Sequence, residues 1–188
     1  MRLFIALDID RGALEGVHPA IEFLSLHSAL LKPVLPGSFH ITLKFLGECS
    51  AGLADDLLRG FTSLVPAGGA LPYELRGLGA FPDLDHAQVL WCGVSAEKFR
   101  VRDMYLEIER FAGRFGFQPE KRSFAPHLTL ARVRKGMKLT SSVTEFLKAN
   151  AGTGYGRSAF RQITLYSSKL TPGGPVYNAL GKIILPEK

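Results

Sequence analysis

The apolar and polar positions along the chain fall into short runs that switch between a period of two and a period near three and a half. "RLFIALDI" (2–9) is a brief apolar run and predicts a strand. Over 11–31, Leu14, Val17, Ile21, Leu24 and Leu31 recur three, four or seven residues apart and predict a helix, ended by Pro33, Pro36 and a turn at Gly37. "FHITLKFLG" (39–47) predicts the next strand. "SAGLADDLLRGFTSLV" (50–65) predicts a helix capped by its first serine, and "LPYELRGLGAF" (71–81) a strand before a turn over 82–85. The order then repeats. "AQVLWCGV" (87–94) is a strand and 96–115 a helix with Phe99, Met104, Leu106, Ile108 and Phe111 on its apolar side. "HLTLARV" is a strand, 140–150 a helix, 158–170 a strand, and "TPGG" turns the chain into a last strand over 176–185.

The order β-α-β-α-β thus occurs twice, at similar spacing, and the echo is too long for a solenoid repeat. It implies an α+β fold: a single domain spanning 1–188, with two lobes related by a pseudo-twofold axis, mostly antiparallel sheets and helices outside. The sequence halves are approximately 1–85 and 86–188.

Composition narrows the function. The formal net charge of the 188 residues is +6, which suits an anionic partner. Two cysteines, Cys49 and Cys92, form neither a disulfide framework nor a metal-ligand spacing, so a reducing cytoplasm is expected. The apolar start of the chain is too short for a signal segment and meets acids at Asp8 and Asp10. No apolar stretch reaches the length of a membrane span.

Two strands carry the same polar pair. Alternation puts His40, Thr42 and Lys44 on one face of the first, with Phe39, Ile41, Leu43 and Phe45 in the core. In the second, His127, Thr129 and Ala131 share a face, backed by Leu128 and Leu130. Two pseudosymmetric lobes would bring these faces together across a groove, so that two half-sites make one site. A pair of imidazoles supplies a proton acceptor and a proton donor near neutral pH, and two hydroxyls can hold the oxygens of a phosphate. A zinc site would need further ligands, and neither histidine has Asp, Glu or Cys at ligand spacing. There is no G-x-S-x-G elbow for a serine hydrolase. His18, His27 and His86 lack this context and read as structural or exposed.

At these residues the chain resembles the RNA 2′,3′-cyclic phosphodiesterases, also called 2′-5′ RNA ligases, within the two-histidine (2H) phosphoesterase superfamily. The likeness is carried by "RLFIAL", "FHITLKFLGE", "GAFP" followed by "VLWCGV", "FAPHLTLARV" and "LYSSKLTPGGPVY", nearly the whole chain. It implies a bilobal fold with the phosphate between lobes, and hydrolysis of an RNA-terminal or nucleoside 2′,3′-cyclic phosphate to a 2′-phosphate without metal or other cofactor. It also implies a possible reverse 2′-5′ joining of RNA ends. His40 and His127 carry over as the acid–base pair, and Thr42 and Thr129 as the phosphate clamp. Loss of O3′ favours His40 as the acid and His127 as the base, although the near-identity of the motifs leaves the reverse open.

Other anion contacts are secondary. Lys44 would share the His40 face, as a phosphate contact or a solvated lysine. Strict alternation puts Arg132 on the far face, so a bulge would be needed to bring it into the groove. Lys121 and Arg122, in a loop before the second motif, would line an RNA path. Phe39, Phe45, Phe124 and Trp91 read as core. The expected partners are RNA ends with a cyclic phosphate, or cyclic nucleotides, met by a monomer in the cytoplasm. Competing readings are a phosphodiesterase acting on 2′-5′ oligoadenylate or an ADP-ribose cyclic phosphate, and an RNA-end-binding protein without turnover.

Overall fold

The chain alternates strands and helices in an order that interleaves two sheets. The computed structural model describes residues 1–64, 68–171 and 174–187, apart from the side chains of Lys98 and Phe99. The expected end of the second helix at Val65, the Pro172–Gly173 part of the "TPGG" turn and the expected apolar contact of Phe99 lie outside the described residues.

The elements are β1 (Arg2–Asp8), α1 (Arg11–Ser25), β2 (Leu31–Pro33), β3 (His40–Glu48), α2 (Ala51–Thr62), β4 (Leu71–Phe81), β5 (Val89–Ala96), α3 (Lys98–Gly113), β6 (His127–Val133), α4 (Ser141–Ala149), β7 (Gly154–Phe160), β8 (Gln162–Thr171) and β9 (Gly174–Ile184). One sheet has the order β3-β1-β8-β9 and the other β2-β6-β5-β4-β7. All their pairings are antiparallel.

Apart from the edge strand β2, the two orders correspond strand for strand: β3 with β6, β1 with β5, β8 with β4, β9 with β7. Neither sheet is built from one sequence half. The first half contributes β1 and β3 to one sheet and β2 and β4 to the other, while β8 and β9 return from the second half to complete the first sheet. The lobes therefore do not divide near residue 85. Helices cross over too: α1 lies against β7, β2 and β6 of the opposite sheet, and α3 lies against β3. The buried apolar side chains of both sheets form one cluster.

Local sequence explains the elements. Asp10 caps α1 by accepting from the Gly12 amide at 2.9 Å. Ala13, Val17, Ala20 and Leu24 supply its buried face. Gly16 lets α1 approach β7, because a Cβ there would sit 1.4 Å from the Tyr155 carbonyl oxygen. Ser50 caps α2 through the Leu53 amide, and Ala54, Leu57 and Phe61 are buried.

Two strands escape the sequence pattern. The helix expected over 11–31 ends at Ser25, and Leu31–Pro33 pair instead with Val133–Ala131 of β6. The strand expected over 158–170 is two strands. The chain leaves β7 at Phe160 and enters β8 at Gln162, changing sheets across Arg161. Among the described residues no helix is long and apolar enough to cross a membrane.

Candidate active site

Both H-x-T-L segments break the regular alternation at their leucine. In β3, Thr42 lies opposite Ala6 but Lys44 lies opposite Ile5, so Leu43 is an extra residue. In β6, Thr129 lies opposite Trp91 but Ala131 lies opposite Leu90, so Leu130 is extra. A β-bulge reverses which face the following residues occupy. His40 and Thr42 share a face with Asp8, Ala6 and Phe4, and His127 and Thr129 share one with Trp91 and Gly93. Beyond each bulge the next residue is buried and the one after it returns to the histidine face.

The two motif strands meet at the junction of the sheets. β3 contacts β6. The short strand β2 pairs with β6, the Val34 amide donates to the bulged Leu130 carbonyl at 2.8 Å, and residues 34–39 carry the chain into β3. The charges of His127 and Arg132 both bear on His40, and that of Arg132 on His127. The two histidines thus lie close enough for their charges to couple, each with its threonine two residues further along the same strand face.

The imidazoles are held in the same way. Nδ1 of His40 donates to the Ser38 carbonyl at 2.8 Å, and Nδ1 of His127 donates to the Ala125 carbonyl at 2.8 Å. A carbonyl only accepts, so Nδ1 carries the hydrogen in each ring and Nε2 is left with its lone pair free. Phe4 and Tyr177 pack on His40, with ring centroids at 4.8 and 5.3 Å, and Phe81 meets His127 edge-on at 4.9 Å.

Electrostatics separates the two rings. Burial pushes His40 below the ordinary imidazole range, against the pull of the Ser38 carbonyl and the Asp8 carboxylate, while Arg132 and His127 lower it further. Burial also lowers His127, opposed by the Ala125 carbonyl and helped by Arg132, and no carboxylate offsets it. Asp8 accepts from Tyr166 at 2.7 Å and Thr164 at 3.0 Å and is in close contact with Gln162 Nε2. Burial, followed by the bond to Asp8, raises the Tyr166 phenol, which stays a donor.

The bulges decide the secondary contacts. Arg132 lies on the groove face, opposite Val89, and is exposed. Strict alternation would have turned it away. Lys44 is corrected in the opposite sense. It lies opposite Ile5 on the core face, is 6% exposed, and places Nζ 2.8 and 2.9 Å from the two carboxylate oxygens of Glu109 and 2.7 Å from the Gln118 carbonyl. It is therefore not an RNA or phosphate contact. Phe45 is corrected too: it faces the groove beside Phe4 and is 64% exposed. Trp91 is half-buried on the histidine face rather than in the core. Phe39 and Phe124 are half-buried against the core. Lys121 and Arg122 are exposed on the segment before β6.

The sequence pattern missed Asp8, Phe4, Tyr166 and Tyr177. Asp8 was legible as a polar residue in phase with Phe4 and Ala6 on the first strand. The tyrosines depend on which strands become neighbours. Among the described residues no three of His, Cys, Asp and Glu gather into a metal-binding group.

The architecture is that of the 2H phosphoesterases. The family model described as LigT like phosphoesterase matches residues 20–91 and 94–177. The RNA 2′,3′-cyclic phosphodiesterase of Aeropyrum pernix is 37% identical over 153 residues, 81% of this chain and 85% of the relative. That of Methanothermobacter thermautotrophicus is 33% identical over 187 residues, covering 94% and 95%. The crystal structure of TT0787 of Thermus thermophilus superposes with a TM-score of 0.77 at 28% identity, covering 98% of each chain. E. coli LigT complexed with 3′-AMP, 24% identical with a TM-score of 0.75 over 99% and 98% of the chains, shares the fold. The chain belongs to the LigT-like phosphoesterase family and is a hydrolase.

Proposed function

We propose that this enzyme opens the 2′,3′-cyclic phosphate at an RNA end, or on a nucleoside, to a 2′-phosphate, using His40 and His127 and no metal. The observation that carries the reading is the matched tethering of the rings. Each Nδ1 is occupied by a backbone carbonyl at 2.8 Å, which leaves two Nε2 atoms for one phosphate. The names of the curated relatives point to the same substrate class.

In the forward step His127 Nε2 takes a proton from water as the water oxygen bonds to phosphorus. The P–O3′ bond breaks and His40 Nε2 gives its proton to O3′. The products are a 2′-phosphomonoester and a free 3′-hydroxyl. Asp8 supports this assignment, because its carboxylate favours the protonated form of His40 and His127 has no such neighbour. Thr42, Thr129 and Arg132 are the donors for the non-bridging oxygens, the guanidinium in a charge-assisted contact. With a 5′-hydroxyl in place of water the same pair would form a 2′-5′ diester.

The test is hydrolysis of a 2′,3′-cyclic nucleotide with and without EDTA. Full turnover in chelator is expected; loss that a divalent cation restores contradicts the metal-free reading. Thr42→Val and Thr129→Val should each lower kcat/KM roughly 10- to 150-fold, the effect of losing a hydrogen bond worth about 1.5–3 kcal/mol to a charged oxygen. Serine should recover much of the rate. Harmless valines at both positions would reduce the threonines to strand formers.

A further inference from the structure

A second concave surface adjoins the histidine site. A cavity of about 390 Å³ holds His127 and continues past Arg76 and Trp91 to Val94, Ser95 and Pro126. These last three residues also bound a larger cleft of about 1300 Å³, between α3 and the segment that runs from Pro119 into the second motif. The two concavities therefore adjoin at Val94, Ser95 and Pro126, and a chain leaving the histidine site across these three residues enters the cleft.

The cleft is built for an anion. Arg102, Arg110, Lys121 and Arg122 stand on its rim, all exposed. Among the described residues none of the four has an ion-pair partner within 4.0 Å. The two acids that line it do not cancel this charge. Glu109 is held by the buried Lys44 ammonium, and Glu120 is a single carboxylate against four cations. The floor is apolar, with Tyr105 stacked on Phe124 at 4.4 Å and 6°. Small-ligand sites run to about 1,000 Å³, so this cleft has room for more than a terminal nucleotide.

We propose that the α3 cleft is the track for the RNA strand 5′ of the nucleotide that carries the cyclic phosphate, so that the preferred substrate is an oligonucleotide end. The direction follows from the reaction. The cyclic phosphate occupies the 2′ and 3′ oxygens of the last ribose, so the only covalent continuation is through its 5′ oxygen. Each further phosphate then meets the rim cations, and the contact carries no base preference. The proposal rests on the phosphodiesterase reading above.

The test compares 2′,3′-cyclic AMP with a short oligoribonucleotide ending in a 2′,3′-cyclic phosphate. The variants are Arg102→Ala/Lys121→Ala/Arg122→Ala and a control, Lys135→Ala/Lys138→Ala, which removes exposed charge from the far end of β6. The triple variant should lower kcat/KM for the oligonucleotide about tenfold or more, chiefly through KM, and change mononucleotide turnover less than about twofold. Its dependence on salt should flatten by about 0.7 in log–log slope for each phosphate that the rim no longer neutralises. The control should match the parent enzyme on both substrates. Equal loss on both substrates, or the same oligonucleotide loss in the control, overturns the track. Binding of a labelled oligoribonucleotide gives a readout independent of turnover. If the folded parent hydrolyses neither substrate, the phosphodiesterase reading fails and the track falls with it; if the parent hydrolyses both and the triple variant binds the oligonucleotide as tightly as the parent, the track alone fails.

Discussion

His40→Ala and His127→Ala each lower turnover of a 2′,3′-cyclic nucleotide at least about 100-fold, the usual scale for removing a general acid or base. The melting temperature should stay close to that of the parent. Each ring is half-buried at the groove and bonds only to a carbonyl two residues earlier, so neither is a keystone of the core. Proton affinity gives a second readout. Both rings sit below the ordinary imidazole range, so in the free enzyme the acidic limb of kcat/KM belongs below about 6.5. A bound phosphate anion favours imidazolium and should move the alkaline limb of kcat upward. Stability carries the same sign. The unfolded chain binds these protons more readily, so stability is full above about pH 6.5 and declines as pH falls through that value to the folded pKa values. Each alanine should flatten that decline. Either variant retaining near-parental turnover while folded would remove its histidine from the acid–base pair.

Lys44→Ala should produce the largest loss of stability. It leaves the Glu109 carboxylate, 9% exposed, without its cation in the lining of the α3 cleft. Removing one partner of a buried pair costs about 3–5 kcal/mol, while replacing both by apolar groups of similar size is often neutral. Lys44→Met/Glu109→Leu should therefore recover much of the loss in urea titrations. At about 2–4 °C per kcal/mol for a chain of this size, the single variant melts roughly 10 °C lower. The pair matters for position as well as stability. It binds β3 to α3 and, through the Gln118 carbonyl and the Glu120 amide, to the segment leading into the second motif. A change under about 1 kcal/mol in Lys44→Ala would mean that the pair is solvated.

The sequence pattern carried the two histidines and threonines to strand faces without needing the fold, because side-chain direction over three residues depends only on the pleat. It failed just past each threonine. One inserted residue, Leu43 or Leu130, reverses the assignments that follow it, in β3 as far as a second bulge at Leu46. That single cause sends Lys44 into the core and brings Phe45 and Arg132 to the groove. Strand partnership was equally hidden. β2 has three residues including Pro33, and β7 begins with two glycines in three positions, so neither shows a clean period of two. The exchange of β4 and β8 between sheets is a long-range choice to which local propensity is blind. Asp8 gained its neighbours from that choice, because Gln162, Thr164 and Tyr166 all come from β8.

The groove is symmetric up to the bulges and asymmetric beyond them. Phe45 and Arg132 occupy corresponding positions, one an apolar wall and the other a cation. Asp8 adds a carboxylate on the His40 side alone. In the reaction proposed above, these differences make the His40 half the acid side and the His127 half the base side, and so select which ester bond breaks. The direct measurement is the phosphorus NMR spectrum of the product from 2′,3′-cyclic AMP in EDTA. The expected result is the 2′-phosphate as sole product at full rate. A mixture of 2′- and 3′-phosphates, or no product from folded enzyme, would contradict a site in which His40 protonates O3′ while His127 activates water.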